Sequence, residues 1–227
     1  MSILFIHGAG ATNSVWRLQT NHFRDSVAVD LPGHPHGSGR STIEDYVRFV
    51  EQQINQLRLR DVIVVGHSMG GAIGIDIALN KQQQLRALVL VGTGARLRVL
   101  PEFLSRIEEN YAEAVKLVAS WSISVSADNL LVDRVADDLM RISPDVTLGD
   151  FTACDGFDRL DRVEEIAYPT LVVCGADDRM TPVKYSEYLH RKINDSKLVI
   201  IPGAGHGVML EKHREFNQAL EDFFASL

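Results

Sequence analysis

The stretch 62–71, Val-Ile-Val-Val-Gly-His-Ser-Met-Gly-Gly, constrains this chain more than any other. Four β-branched apolar residues read as a strand buried on both faces. They run without a spacer into Gly66-His67-Ser68-Met69-Gly70, and Gly70, Gly71, Ala72 and Gly74 then open a helix with almost no side-chain bulk. A strand that becomes a helix across one residue forces that residue, Ser68, into strained backbone with positive φ, and the crowded flanking positions require glycine. The turn lifts the serine hydroxyl above the end of the sheet and aims the next backbone N–H, that of Met69, at the same space. A tight turn with an incidental serine is the alternative, and the rest of the chain decides between the two.

The other short apolar runs repeat the same rhythm. Residues 3–6 form a strand that ends at His7-Gly8-Ala9-Gly10; residues 27–29 end at Asp30-Leu31-Pro32-Gly33; residues 88–91 end at Gly92-Thr93-Gly94. Residues 170–174 lead into Gly175-Ala176-Asp177-Asp178, and 198–201 into Pro202-Gly203-Ala204-Gly205-His206. Between them lie helical patterns. Ile43, Tyr46, Val47, Val50, Ile54 and Leu57 make one apolar face, with Ser41 expected as N-cap and Glu44 reaching back to complete a capping box. A helix is expected over 183–191, and the last helix buries Phe216, Leu220 and Phe223. Strands alternating with helices dictate a parallel sheet with right-handed crossovers and helices on both faces. Ligands of such sheets bind beyond the carboxyl ends of the strands, which is where His7-Gly8, Ser68, Asp178 and His206 all fall. From about residue 101 to 144 the strand rhythm stops. Phe103, Ile107, Tyr111, Val115, Val118 and Trp121 follow helical spacing, so two or more helices are inserted there.

Composition narrows the functional classes. With 227 residues, a chain buries roughly 70–75 % of its unfolded surface and needs no disulfide or metal to fold. Twenty-three Lys and Arg against 30 Asp and Glu leave a net charge of −7, which argues against nucleic acid and against an anionic membrane surface as partners. The two cysteines, Cys154 and Cys174, lack metal-ligand spacing and read as free thiols. No bound metal and no cofactor is expected. No basic leader precedes the first strand and no apolar run is long enough to span a bilayer, so the expectation is a cytoplasmic enzyme.

The strand ends imply nucleophilic chemistry. A serine hydroxyl needs a base within hydrogen-bond reach, and the base needs a third group to fix its tautomer. Of eight histidines, His206 sits in a glycine-rich loop at the end of the last strand. His213 falls in the final helix, His34 and His36 in a turn, and His67, beside Ser68, is turned away from it. Asp177 and Asp178 both satisfy the order serine, acid, histidine; Asp177 is also suited to accept the N–H groups of its own turn. Two N–H donors must face the developing oxyanion, and Met69 and Ala9 are the candidates.

Taken together, His7-Gly8, Asp30-Leu31-Pro32-Gly33-His34, Gly66-His67-Ser68-Met69-Gly70-Gly71, Gly175-x-x-Asp178 with Pro182, and Gly205-His206 resemble the α/β-hydrolase superfamily, close to its small microbial esterases. The resemblance covers nearly the whole chain. It implies that the acid stands three residues after the glycine, at Asp178, and it supports Ala9 as the second oxyanion donor. It implies a core over residues 1–96 and 151–227 with a helical cap over 97–150. The chain starts at what is the third strand of that family, so a sheet of about six strands without the first hairpin is expected. The loop His34-Pro35-His36-Gly37-Ser38-Gly39 is longer than the family's usual turn. The activity implied is cofactor-free hydrolysis of a small carboxylic ester with an apolar or short acyl group, through an acyl-enzyme on Ser68. Alternatives on the same residues are a C–C hydrolase, thioesterase, lactonase or acyltransferase, or a ligand-binding receptor on a hydrolase scaffold. Oligomeric state is not encoded in any of these features.

Overall fold

The computed structural model describes residues 1–227. Six strands build one sheet: β1 (Ser2–Ile6), β2 (Ser26–Val29), β3 (Val62–His67), β4 (Leu85–Val91), β5 (Thr170–Gly175) and β6 (Ser196–Ile201). All pairs are parallel, in the order β2-β1-β3-β4-β5-β6. Ten helices accompany them: α1 (Arg17–His22), α2 (Ile43–Gln56), α3 (Met69–Leu79), α4 (Pro101–Glu109), α5 (Tyr111–Ser122), α6 (Asn129–Leu139), α7 (Pro144–Asp155), α8 (Lys184–Lys192), α9 (Val208–Glu211) and α10 (His213–Phe224).

The strands read as continuous apolar runs because both faces of the sheet are covered. Alternate residues go to opposite sides. Leu4, Val62, Val64, Leu88, Leu90 and Val172 pack with α2, α3 and α8. Ile3, Phe5, Ile63, Val65, Val89 and Val173 pack instead with Phe216, Leu220 and Phe223 of α10 and with Trp16. Trp16 is fully buried against Phe5, Phe216 and the His67 ring.

Strand order reverses between β1 and β3, the place where doubly wound sheets open a crevice at their carboxyl edge. The His7–Gly10 loop and the Ser68 turn leave the sheet side by side there. The four helices α4 to α7 occupy the stretch between β4 and β5, with α7 running on to Asp155. They share a small core of Phe103, Ile107, Val115, Val118, Leu139 and Phe151.

One local expectation is corrected. Helix α2 is capped by Thr42, not Ser41: Thr42 Oγ1 accepts the Asp45 N–H at 3.2 Å, and its hydroxyl donates to Asp45 Oδ2 at 2.6 Å. Glu44 points elsewhere, to the Arg159 guanidinium at 2.6 Å, which also grips Asp76 of α3 at 2.7 and 2.8 Å.

Candidate active site

Ser68 has φ +53° and joins β3 to α3. A Cβ on Gly66 would lie 2.1 Å from the Gly70 carbonyl oxygen, and one on Gly70 would lie 2.4 Å from that of Ile6. These contacts are why the residues two before and two after the serine carry no side chain. The serine is half-buried and lines a cavity of about 700 Å³ together with His206.

Asp178 and His206 meet beside it. His206 Nδ1–H donates to Asp178 Oδ2 at 2.8 Å, which fixes the tautomer and leaves Nε2 as the basic nitrogen. The carboxylate is held in turn by the N–H groups of Met180 and Thr181 at 2.9 and 2.8 Å and by the Thr181 hydroxyl at 2.9 Å. Burial works to raise the Asp178 pKa. The charge and hydrogen bond of His206, with the Thr181 bonds, outweigh burial and leave it below the usual carboxylate value. Asp177 does not serve its own turn. Its Oδ2 accepts the Ser124 hydroxyl at 2.8 Å, because Asp178 already takes the two N–H groups of that turn. Ser68 Oγ makes no hydrogen bond to His206, a contact that commonly tightens only when substrate is bound.

The two oxyanion candidates also face this edge. Met69 is the first residue of α3, where helix N–H groups have no i−4 partner. The Ala9 N–H has no protein partner either. Its peptide plane is fixed from behind: His7 Nδ1–H donates to the Gly8 carbonyl at 2.8 Å, and His7 Nε2 accepts the Leu31 N–H at 3.0 Å. Since C=O and N–H of a trans peptide point in opposite directions, tethering the Gly8 oxygen aims the Ala9 N–H the other way.

Sequence reasoning missed several supports. His67 donates Nε2–H to the His206 carbonyl at 3.0 Å, and its ring lies 4.6 Å from the His206 ring. Burial, then the nearby His206, push its pKa down to about 3, so it is neutral. Burial and the His34 charge do the same to His7, also to about 3. Glu211 accepts the N–H groups of Gly205 and Ser124 at 2.9 and 2.8 Å, tying the loop that carries His206 to the end of α5. No local pattern announces these groups, since His67 meets His206 across 139 residues and Glu211 meets Ser124 across 87.

The cavity wall is largely apolar. Val118, Leu131, Val135, Leu139 and Phe151 from the inserted helices face Leu18 and Met209 from the rest of the fold. Four lining residues are exposed arginines, Arg17, Arg98, Arg134 and Arg141, against a single acid, Asp138. No group of side chains has the composition of a metal centre, and no helix is long and apolar enough to cross a membrane.

A doubly wound sheet with a strained serine and a His–Asp pair at one strand edge defines a hydrolase scaffold. Comparison with known proteins makes this specific. Residues 3–219 match the model of the alpha/beta hydrolase family, and the chain belongs to that family. It is similar to a thermophilic esterase of known structure, at 36 % identity and TM-score 0.89, over 99 % of this chain and 90 % of that one. It is 28 % identical to the pimeloyl-[acyl-carrier protein] methyl ester esterase of Neisseria meningitidis, over 97 % of this chain and 76 % of the relative. A Bacillus subtilis protein named provisionally as 2-succinyl-6-hydroxy-2,4-cyclohexadiene-1-carboxylate synthase is 26 % identical, over 100 % of this chain and 91 % of its own length. The chain is thus a hydrolase-family protein with esterase-like relatives.

Proposed function

We propose that the protein is a cofactor-independent carboxylic ester hydrolase that works through an acyl-enzyme on Ser68. The observation that carries this reading is the 2.8 Å His206–Asp178 bond at the same cavity as the strained serine. In this mechanism Ser68 Oγ attacks the ester carbonyl carbon and its proton passes to His206 Nε2. The carbonyl oxygen becomes an oxyanion received by the Ala9 and Met69 N–H groups. Collapse expels the alcohol, protonated by His206. Water, deprotonated by the same imidazole, then attacks the acyl-enzyme and returns free acid and Ser68. Asp178 stays ionised throughout and stabilises the imidazolium.

The helices between β4 and β5 act as a cap that shapes the substrate side of the cavity. Their apolar lining suits an aliphatic acyl group, and the arginines suit a negatively charged or carbonyl-rich group at its outer end. The Neisseria relative is named for a methyl ester of a carrier-bound acyl chain, which agrees with that shape of substrate.

A panel of p-nitrophenyl esters from acetate to octanoate tests the reading. Turnover that disappears in Ser68→Ala is expected. Thioesters and a vinylogous diketone belong in the same panel, given the synthase name of the Bacillus relative. Turnover of these with none of the esters would replace ester hydrolysis by another acyl or C–C reaction. Tight binding without turnover of any of them would make the cavity a receptor site.

A further inference from the structure

Asp150, on helix α7, is fully buried, yet it lies outside the serine, histidine and acid just described. Its carboxylate is saturated by three segments far from it in sequence. Oδ2 accepts the Gly10 N–H at 2.7 Å and the His34 Nε2–H at 2.8 Å. Oδ1 accepts the Tyr46 hydroxyl, which itself accepts the Arg40 N–H at 3.0 Å. His34 is equally enclosed. Its other nitrogen, Nδ1, meets only the carbonyl oxygens of Leu31 and Pro32, at 3.2 and 3.1 Å. Acceptors at both ring nitrogens require both to carry hydrogen, so His34 is an imidazolium paired with Asp150, each side chain with zero exposure.

Burying an ion pair is costly and is weak evidence of a stabilising role. The placement of this pair points to another use. The peptide N–H it holds, that of Gly10, immediately follows Ala9. Gly10 sits at φ +65° with Leu139 and Thr147 closing over its Cα. The His7 ring, which tethers the Gly8 carbonyl, lies 4.7 Å from the His34 ring. The peptide units on both sides of Ala9 are therefore anchored to one polar cluster.

We propose that Asp150, paired with His34, is a positioning residue that aims the Ala9 N–H at the oxyanion. It rests on the ester-hydrolase reading above. A donor held in place costs no reorganisation when charge develops, whereas a misdirected one loses part of the roughly 10²–10³-fold that an oxyanion donor supplies. The anchor also makes α7 of the inserted segment a wall of the oxyanion loop.

The test is steady-state hydrolysis of p-nitrophenyl butyrate by the full chain. Asp150→Asn turns one carboxylate oxygen into an NH₂ that opposes the donors around it. Its kcat is expected to fall by about 10-fold or more, with KM within about twofold. Its inhibition constant for an alkyl trifluoromethyl ketone, whose adduct oxygen occupies the oxyanion position, is expected to weaken by the same factor as kcat/KM. Inhibition by the product alcohol stays unchanged. Asp76→Asn, which breaks the pairing of another buried acid with Arg159, is expected to lower the thermal midpoint and leave kcat per folded molecule as it was. Where Asp150→Asn does not fold, Tyr46→Phe removes one bond to the carboxylate and is expected to lower kcat two- to fivefold. Wild-type kcat and ketone affinity in the folded variants would overturn the assignment. An unsubstituted chain that hydrolyses no ester would overturn the hydrolase reading and this role together.

Discussion

The sheet and the inserted helices differ in how completely they are packed. Every residue of β3 and of α3 is buried, and only Ser68 between them is half-open. Helix α6 buries only Leu139; its Leu130 is 70 % exposed, and Val125 just before the helix is 83 % exposed. On the proposed ester-hydrolase reading, the groups that do chemistry leave the tightly packed part, where neighbours over-determine their positions. The groups that line the rest of the cavity come in good part from the loosely packed part. Close packing transmits small displacements, so precision belongs on the sheet edge and tolerance on the wall.

The largest expected effect lies wholly on the sheet side. Ser68→Ala is expected to lower p-nitrophenyl ester hydrolysis about 10⁴-fold or more. Retention of a tenth of the wild-type rate would move the chemistry away from the packed edge and break the contrast.

Neighbouring aspartates then give a sharper division, because Asp178 binds His206 while Asp177 binds Ser124 at the end of the inserted α5. Asp178→Asn should cost about 10³–10⁴-fold in kcat by leaving the imidazole in the wrong tautomer. Asp177→Asn should stay within about threefold. Similar losses from the two would erase the boundary between them.

Packing itself supplies a third comparison. Phe216 is wholly enclosed beneath the sheet, and Phe103 belongs to the small core of the insertion. Replacing a buried Phe by Ala typically costs about 3–5 kcal/mol. Urea unfolding is expected to place Phe216→Ala at the upper end of that range and Phe103→Ala below it, with Phe103→Ala raising KM more than it lowers kcat. A reversed order would show the insertion to be the more rigid part.

A further contrast lies in the pH dependence of the thermal midpoint. His7 and His67 are buried neutral with pKa values near 3, against about 6.5 for a free imidazole. Below about pH 6.5 the unfolded chain binds protons the folded chain refuses, so stability is full above that value and declines toward pH 3. Asp178, depressed, adds a loss as pH falls below the ordinary carboxylate value and through its folded one. His34 has the opposite sign. Burial lowers its pKa, but the bond and charge of Asp150 and the Leu31 and Pro32 carbonyls outweigh burial and raise it. Its contribution is full below the free imidazole value and is lost as pH rises through the folded one. A stability maximum between the two limbs is expected, and His67→Gln should flatten the acid limb only.

The parallel sheet, the Ser68 turn and the His206 loop were legible because each is written locally, as an apolar run that stops at glycine. The choice between Asp178 and Asp177 was not local; it needed the resemblance, and the structure joins Asp178 to His206 and Asp177 to Ser124. The α2 cap slipped by one residue because Ser41-Thr42 and Glu44-Asp45 offer two registers of the same chemistry. Arg159, 115 residues beyond Glu44, draws Glu44 away from the cap. Asp150 and Glu211 went unremarked, and the pairing of His34 and Tyr46 with Asp150 was not legible, for a related reason. Each is a lone polar residue in a helix or turn, and its meaning lies in a partner that only the folded chain brings near.

Helix α6 has a consequence for how such a chain changes over generations. Its cavity-facing Leu131, Arg134 and Val135 are at most half-buried, only Val135 packs on the small core of the insertion, and the buried anchor is Leu139 alone. Exchanging the first three alters what the cavity admits while spending almost none of the folding stability held in the sheet. Selection for a new substrate and selection for a foldable protein can therefore act on separate residues, and a library confined to this one helix would explore acyl preference among variants that nearly all fold.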